Sequence, residues 1–266
     1  MITAKAPAKI NLALVVGPTR DDGLHEVATI LQRVELHDTI SLEPSDELTI
    51  EGYGDDTIVR RALEAVAAAA GVPPAWRAHI QKRIPVAAGL GGGSSDAATA
   101  IRLAAELVDE PLPQAELNAI ARSLGVDVAF FLEPGPQLGL GDGTALRPLA
   151  LPQDYTVVLL LPHGETKPST REVYSRFRGE AGFDERQTRV REISEAGDQA
   201  NLAALPANDL AQSALSERFY ELGAFRSDVS GAGPAVYALF TDRPAAERAA
   251  AAVAGLGETW LTRPAW

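Results

Sequence analysis

Residues 85–100 read PVAAGLGGGSSDAATA, and this stretch decides the fold because it joins two different periodicities. Upstream, Trp76, Ala78, Ile80 and Ile84 are apolar with His79, Gln81 and Arg83 between them, a strand-like alternation broken only at Lys82. Downstream, Ala97, Ile101, Ala104, Ala105 and Val108 recur at helical spacing. A glycine loop therefore leads from a strand into a helix. Gly89, Gly91, Gly92 and Gly93 leave backbone amides open to a ligand because no Cβ stands in the way. Ser94, Ser95 and Asp96 suit a helix N-terminus. The unpaired amides of a first turn, with the positive end of the helix dipole, favour an anion. Two readings follow, a phosphate cradle or a glycine-rich turn with an ordinary cap, and the length of the run favours the cradle.

The run is not the common P-loop. GxxxxGK(S/T) requires a lysine directly after its last glycine, and Ser94 stands there. GxGxxG is met only at Gly89 and Gly91, with Ser94 in place of the third glycine. The cation for a phosphate has to come from another segment.

The chain has 266 residues, room for two domains of about 130 residues or one large one. Its apolar runs, such as 157–162, are far short of the roughly 20 residues that span a bilayer. No charged and then apolar leader opens the chain. The expectation is a cytoplasmic protein without a membrane partner, monomeric or a weak homodimer. Zero cysteines exclude disulfides, thiolate catalysis and sulfur-ligated zinc. His25, His37, His79 and His163 show no paired ligand spacing. A net charge of −12 speaks against a nucleic-acid partner, which would call for a basic stripe. Only Lys5, Lys9, Lys82 and Lys167 are lysines, so a lysine inside an apolar pattern needs a reason.

Lys9 is such a lysine. Residues 2–16 alternate as a strand interrupted at Pro7, with Ile10, Leu12, Leu14 and Val16 on one face and Lys9 and Asn11 together on the other. The pair either addresses one ligand or is two solvated positions on a half-exposed strand. Residues 17–25 read as a loop with His25 at its exit, where a solvent-exposed histidine is the plain reading. Short strands are expected over 29–36, 39–42 and 48–51, then a helix over 56–70 and another from Pro113 to the stop at Gly125. In VDVAFFL, Asp127 lies among apolar residues. Its carboxylate needs either a structural partner or a chemical task.

Residues 134–143 read as a turn-rich connection, 144–149 as a strand, and 152–154 as the boundary between domains 1–152 and 153–266. The second part opens with a strand over 155–161. A helix over 168–177 is capped by Ser169 or Thr170, and a charged, weakly patterned and mobile excursion spans 179–199. A helix over 205–222, a strand over 225–229, a glycine turn over 230–234, a strand over 236–240, a helix over 244–254 and a last strand over 259–261 complete an α+β sandwich.

Three separated stretches, PAKINLALVVGPTRDDGLH, PVAAGLGGGSSDAATA and SGAGPAVYALF, resemble in order and spacing the three motifs of the GHMP kinases, named for galactokinase, homoserine kinase, mevalonate kinase and phosphomevalonate kinase. The resemblance covers nearly the whole chain. It implies a two-domain α+β fold, with an N-terminal ribosomal-protein-S5-like nucleotide domain and a C-terminal ferredoxin-like sandwich, that binds ATP and Mg²⁺. The PAKINL start, the DG-x-H loop and LGVDVAFFL are similar to a branch that phosphorylates the tertiary 2-hydroxyl of a cytidine-diphosphate-linked methylerythritol. Another small alcohol, mevalonate-like or homoserine-like, is the alternative substrate, and a non-catalytic ligand sensor the alternative role.

By position, the resemblance makes Lys9 and Asp127 catalytic. It puts Pro85, Ala88, Gly89, Leu90, Gly91, Gly92, Gly93, Ser94 and Ser95 at ATP, with Ser95 at magnesium. Asn11, His25, Tyr174, Gly231 and Gly233 are assigned to the substrate. Three positions depart from the branch's pattern. Leu24 replaces a tyrosine before the loop histidine, Ala129 stands where proline is common, and Thr57 where asparagine is usual.

Overall fold

The structure, a computed structural model, describes residues 1–53, 57–165, 170–178, 182–196 and 199–265. The first elements are β1 (Ile2–Thr19), β2 (His25–Pro44), β3 (Thr49–Glu51), α1 (Thr57–Ala70), β4 (Trp76–Gln81), α2 (Gly92–Leu107), α3 (Gln114–Leu124), α4 (Val126–Leu132), β5 (Gln137–Gly141) and β6 (Ala145–Pro148). They are followed by β7 (Thr156–Pro162), α5 (Thr170–Arg176), α6 (Phe183–Ala196), α7 (Gln199–Ala203), α8 (Ala214–Glu221), β8 (Arg226–Val229), β9 (Val236–Phe240), α9 (Arg243–Val253) and β10 (Gly257–Thr262). Contacts gather these into two compact units. One holds Met1–Ala8, Leu36–Val86 and Gly91–Pro134, the other Lys9–Glu35, Ala87–Leu90 and Gly135–Trp266.

In the first unit, the C-terminal half of β2 pairs antiparallel with β4, and β4 pairs parallel with β3. Along β4, buried Trp76, Ala78 and Ile80 alternate with exposed Arg77, His79 and Gln81, the period-2 pattern of a half-buried strand. Helix α1 turns Val59, Ala62, Leu63, Val66 and Ala67 inward and packs on α2 and α3. VDVAFFL forms α4, which packs on α2 and α3. Helical rotation buries Val128, Ala129, Phe130 and Phe131 and leaves Asp127 half-buried in the first turn. Asp127 is thus less enclosed than its linear neighbours suggest, because residues adjacent in a helix face different ways. Each buried phenyl ring contributes about 1.5–3 kcal/mol.

In the second unit, the N-terminal half of β2 pairs antiparallel with β5, and β5 with β6. A separate antiparallel sheet runs β10-β7-β9-β8, the 4-1-3-2 order of a ferredoxin-like sandwich when counted from β7. Helices α8 and α9 pack on it, enclosing Val158, Leu160, Phe219, Val236, Phe240 and Val253.

Several local expectations are corrected. Strand β1 runs unbroken through Pro7, since proline removes one donor but keeps an extended backbone available. Strand β2 continues through His37 and Asp38, where polar residues suggested a join; Asp38 is fully buried with backbone partners. The 134–143 connection contains β5, whose Gly139 admits a close neighbour: a Cβ there would lie 3.0 Å from Thr29 Cγ2 and from the Gly143 carbonyl oxygen. Of the helix expected over 205–222, only Ala214–Glu221 is helical. Asn208 side-chain bonds hold the preceding segment, and Ser213 caps the helix by accepting from Leu215 N–H.

Within the expected excursion, 182–196 is not patternless. Phe183, Val190 and Ile193 bury one face of α6, at spacings of seven and three residues that charged neighbours dilute. The expected cap at Ser169 and the residue Lys167 lie outside the described residues, as does Asp56, expected to open the first helix.

Candidate active site

Strand β1 buries Lys9 and Asn11 to 4% and 5% exposure, so the solvated reading of the pair is excluded. The Lys9 ammonium donates to Asn11 Oδ1 at 2.6 Å, Asn11 Nδ2 donates to Thr29 Oγ1 at 2.8 Å, and the Thr29 hydroxyl donates to the Ala13 carbonyl at 2.8 Å. Each group's donor is used by the next, which fixes the asparagine amide and presents its oxygen to the lysine. Lys9 N–H also donates to the Leu90 carbonyl at 2.9 Å, tying the strand to the front of the glycine loop.

The glycine turn over 230–234, in the third of the three motifs and so the third glycine turn, meets the same place. A Cβ on Gly231 would lie 3.3 Å from Lys9 Nζ and 3.4 Å from Asn11 Oδ1, and Gly231 has φ +58°, a conformation that favours glycine. A Cβ on Gly89 would lie 2.2 Å from the Ser230 carbonyl oxygen, so main chain meets main chain there. The Ser230 hydroxyl donates to the Gly89 carbonyl at 3.0 Å, and Ala235 N–H to the Ala88 carbonyl at 3.0 Å. Gly233 has φ +74°, and its N–H donates to the Ser230 carbonyl at 2.9 Å. In the second unit, Lys9, Asn11, Ala88, Gly89, Leu90, Gly231 and Gly233 are therefore brought together from three distant segments.

His25 stands in the same unit, half-buried. Its Nδ1–H donates to the Gly17 carbonyl at 2.9 Å, which leaves Nε2 as the nitrogen for a ligand. Tyr174 tilts against the His25 ring at a centroid distance of 5.9 Å, and Phe177 meets it edge-on at 5.7 Å. Leu24 is 50% exposed. Beside this aromatic cluster a cleft of about 820 Å³ is lined by Phe177, Leu210, Asp209 and the arginines 176, 178 and 186.

In the first unit, α2 begins at Gly92, with Gly91 as N-cap at φ 71° and no side-chain capping bond. The expected caps Ser94, Ser95 and Asp96 lie instead inside the first turns, because Gly91 takes the left-handed conformation that starts the helix earlier. Ser95 N–H closes the first intrahelical bond onto the Gly91 carbonyl at 2.9 Å. By helix geometry the amides of Gly92, Gly93 and Ser94 have no carbonyl four residues back inside the helix. The Ser95 hydroxyl is fully buried with no hydrogen-bond partner among the described residues, an orphan that invites an external oxygen ligand or cation. Pro85 is half-buried ahead of the loop.

A second lysine, which the sequence reading passed over, lies behind this turn. Lys82 Nζ is 2.5 Å from Asp38 and 2.7 Å from Asp96 carboxylate oxygens, both carboxylates fully buried. It stands 5.7 Å from the Tyr53 ring centroid and would lie 3.3 Å from a Cβ on Gly92. Burial opposes its charge, but Asp96 and Asp38 outweigh burial and hold the ammonium above its ordinary pKa. Its one sequence signal was the break in alternation before the glycine loop. Thr29 left no such signal. Phe177 was detectable only as an aromatic three residues after Tyr174.

Family models match at two places, GHMP kinases N terminal domain over residues 57–135 and GHMP kinases C terminal over 190–259. A Rhodococcus jostii protein named 4-diphosphocytidyl-2-C-methyl-D-erythritol kinase is 35% identical, covering 96% of this chain and 89% of its own length. A Salinispora tropica protein of the same name is 37% identical over 96% and 88%. A crystal structure of 4-(cytidine 5'-diphospho)-2C-methyl-D-erythritol kinase superposes with TM-score 0.82 at 33% identity, covering all of both chains. Matches of this extent and identity reach every segment that carries the site, so the chain belongs to the GHMP kinase family, among the 4-diphosphocytidyl-2-C-methyl-D-erythritol kinases.

Proposed function

We propose that this enzyme transfers the γ-phosphoryl group of ATP to the 2-hydroxyl of 4-(cytidine 5'-diphospho)-2-C-methyl-D-erythritol. The observation that carries the reading is the Lys9 ammonium, held out of water by Asn11 against the Gly231 turn. A buried ammonium is favourable only where negative charge meets it, and both a reacting phosphate and a catalytic carboxylate supply that charge.

In the step, the hydroxyl oxygen forms a bond to the γ-phosphorus, the bond from that phosphorus to the β,γ-bridging oxygen breaks, and ADP leaves. Asp127 accepts the hydroxyl proton as general base, and Lys9 opposes the charge on the moving phosphoryl. The amides of Gly91, Gly92, Gly93 and Ser94, with the N-terminal dipole of α2, receive the ATP phosphates. The orphan Ser95 hydroxyl fits a Mg²⁺ that keeps most of its waters, and that ion supplies neutralisation of phosphate charge. His25 offers Nε2 to the cytosine edge and Tyr174 offers its ring face. Asn11, Gly231 and Gly233 position the acceptor alcohol.

Residues 1–152 and 153–266 are the proposed domains. The two family matches fall on either side of that boundary, while the second compact unit also takes Lys9–Glu35, Ala87–Leu90 and residues 135–152 from its N-terminal side. Among the described residues no helix is long and apolar enough to cross a membrane; we place the enzyme in the cytoplasm, as a monomer or weak homodimer. Phosphorus NMR of the enzyme with ATP, Mg²⁺ and the cytidylylated alcohol tests the reading. A new phosphomonoester resonance is expected; its absence, or faster turnover of mevalonate or homoserine, would reject it.

A further inference from the structure

We propose that Asn208 is a positioning residue for phosphoryl transfer, its side-chain amide clamping the third glycine turn so that Gly231 stays packed against Lys9 and Asn11. The proposal rests on the kinase reading of Lys9. Asn208 is 2% exposed and its hydrogen-bonding groups are in use. Nδ2 donates to the Val229 carbonyl at 2.9 Å and to the Gly231 carbonyl at 2.6 Å, while Oδ1 accepts from Leu210 N–H at 2.9 Å. Its own N–H donates to Asp228 Oδ2 at 2.9 Å. One planar NH₂ group thereby sets two carbonyls that flank Ser230, whose hydroxyl reaches Gly89.

The turn needs such a clamp because of what it is made of. Gly231 and Gly233 both occupy positive φ, and glycine has the widest choice of backbone conformations. Left to itself, the peptide unit that faces Lys9 would be among the least defined parts of the site. The next residue repeats the fastening on the other side. Asp209 N–H donates to the Leu14 carbonyl at 3.0 Å, and Asp209 Oδ2 accepts from Val16 N–H at 2.8 Å. Residue 208 thus holds the turn and residue 209 holds β1, the strand that carries Lys9 and Asn11. Beyond the turn, the Tyr237 hydroxyl donates to the Leu12 carbonyl at 3.2 Å, which sets the same register from a third point. Displacements of about 1 Å remote from the chemistry can lower a rate about a hundredfold, so the clamp acts on turnover rather than on affinity.

The test is Asn208→Asp, which keeps the size of the side chain and the acceptor for Leu210 N–H but replaces both donors with an oxygen facing two carbonyls. The expected result is a kcat about a hundredfold below wild type, with KM for ATP within about threefold, and faster hydrogen exchange at the amides of Gly231 and Gly233 while β7 and β9 exchange as in wild type. A folded variant with wild-type kcat, or one that loses kcat without any change in exchange at the turn, overturns the proposal. A purely structural asparagine would lower the melting temperature and leave the balance between kcat and KM alone. Should Asn208→Asp not fold, Asn208→Ser, read well below its melting temperature, is expected to lose turnover in the same direction, and wild-type kcat there overturns the clamp. Wild-type protein that leaves the cytidylylated alcohol unphosphorylated defeats the substrate reading instead, and the clamp then stands or falls on exchange at the turn.

Discussion

Lys9 and Lys82 are both withdrawn from water beside a glycine turn, one in each compact unit, and they are used in opposite ways. Lys9 aims its ammonium at the neutral amide of Asn11 and at the open face of Gly231. Lys82 is gripped by Asp38 and Asp96, so its charge is already exceeded by two carboxylates. In the proposed reaction the first ammonium serves phosphoryl transfer. The second spends its charge on architecture, joining β2, the segment after β4 and the first turns of α2 at one point. Proximity to a glycine loop therefore does not make a lysine a phosphate ligand; its other bonds decide.

The hardest way to break this comparison is to remove the chemistry. Asp127→Asn and Lys9→Ala are each expected to lower kcat by about 10²–10⁴, with ATP affinity by calorimetry nearly unchanged and the melting temperature little moved. Wild-type turnover in Asp127→Asn would return that residue to a structural role.

Lys82→Met should show the reverse pattern. It leaves two buried carboxylates facing each other, a loss of about 3–5 kcal/mol measurable by urea unfolding. The sign with pH follows from the raised pKa of Lys82. Its stabilisation is complete below the unfolded value near 10.4 and is lost as pH rises through the folded value, so wild type but not Lys82→Met should lose this increment in strongly alkaline solution. A variant that keeps its stability and loses kcat would make Lys82 a second chemical lysine.

A matched pair of glycines sharpens the contrast, since a Cβ at Gly231 or at Gly92 would lie 3.3 Å from Lys9 Nζ or Lys82 Nζ respectively. Gly231→Ala also forces an alanine to φ +58°, a strain of roughly 1–2 kcal/mol, and is expected to depress kcat through Lys9. Gly92→Ala, inside a helix, should spare kcat and appear in stability and in KM for ATP. Equal kcat losses would show that both lysines serve the chemistry.

The smallest expected effect is the most diagnostic of the α2 turn. Ser95→Ala removes a buried hydroxyl that has no partner among the described residues and should leave stability unchanged or raise it by about 1 kcal/mol. The Mg²⁺ concentration for half-maximal activity should rise. A fall in stability with unaltered Mg²⁺ dependence would make the hydroxyl a structural group.

Much of the fold was legible because its signals are local. The alternation at Trp76, Ala78 and Ile80 and the glycine punctuation around residue 92 depend only on near neighbours, and the elements formed where those patterns lie. Legibility ended where a distant partner overrode a local habit. Polar His37 and Asp38 read as a break in a strand that does not break, since Asp38 is satisfied by residues more than forty positions away. Residues 205–213 read as helix and instead form the segment fastened by Asn208 and Asp209, because their polar groups find better partners at β1 and the third glycine turn.

By itself, the sequence determined the glycine loop between β4 and α2, the three glycine-bearing motifs and the candidate residues Lys9, Asn11, His25 and Asp127. Only the tertiary structure decided that Lys9 is directed at a glycine turn while Lys82 is bound up between carboxylates, and that one asparagine fastens that turn. The reason is physical: backbone periodicity follows from adjacent residues, whereas the use made of a buried charge or amide is set by whichever groups the folded chain brings within about 3 Å.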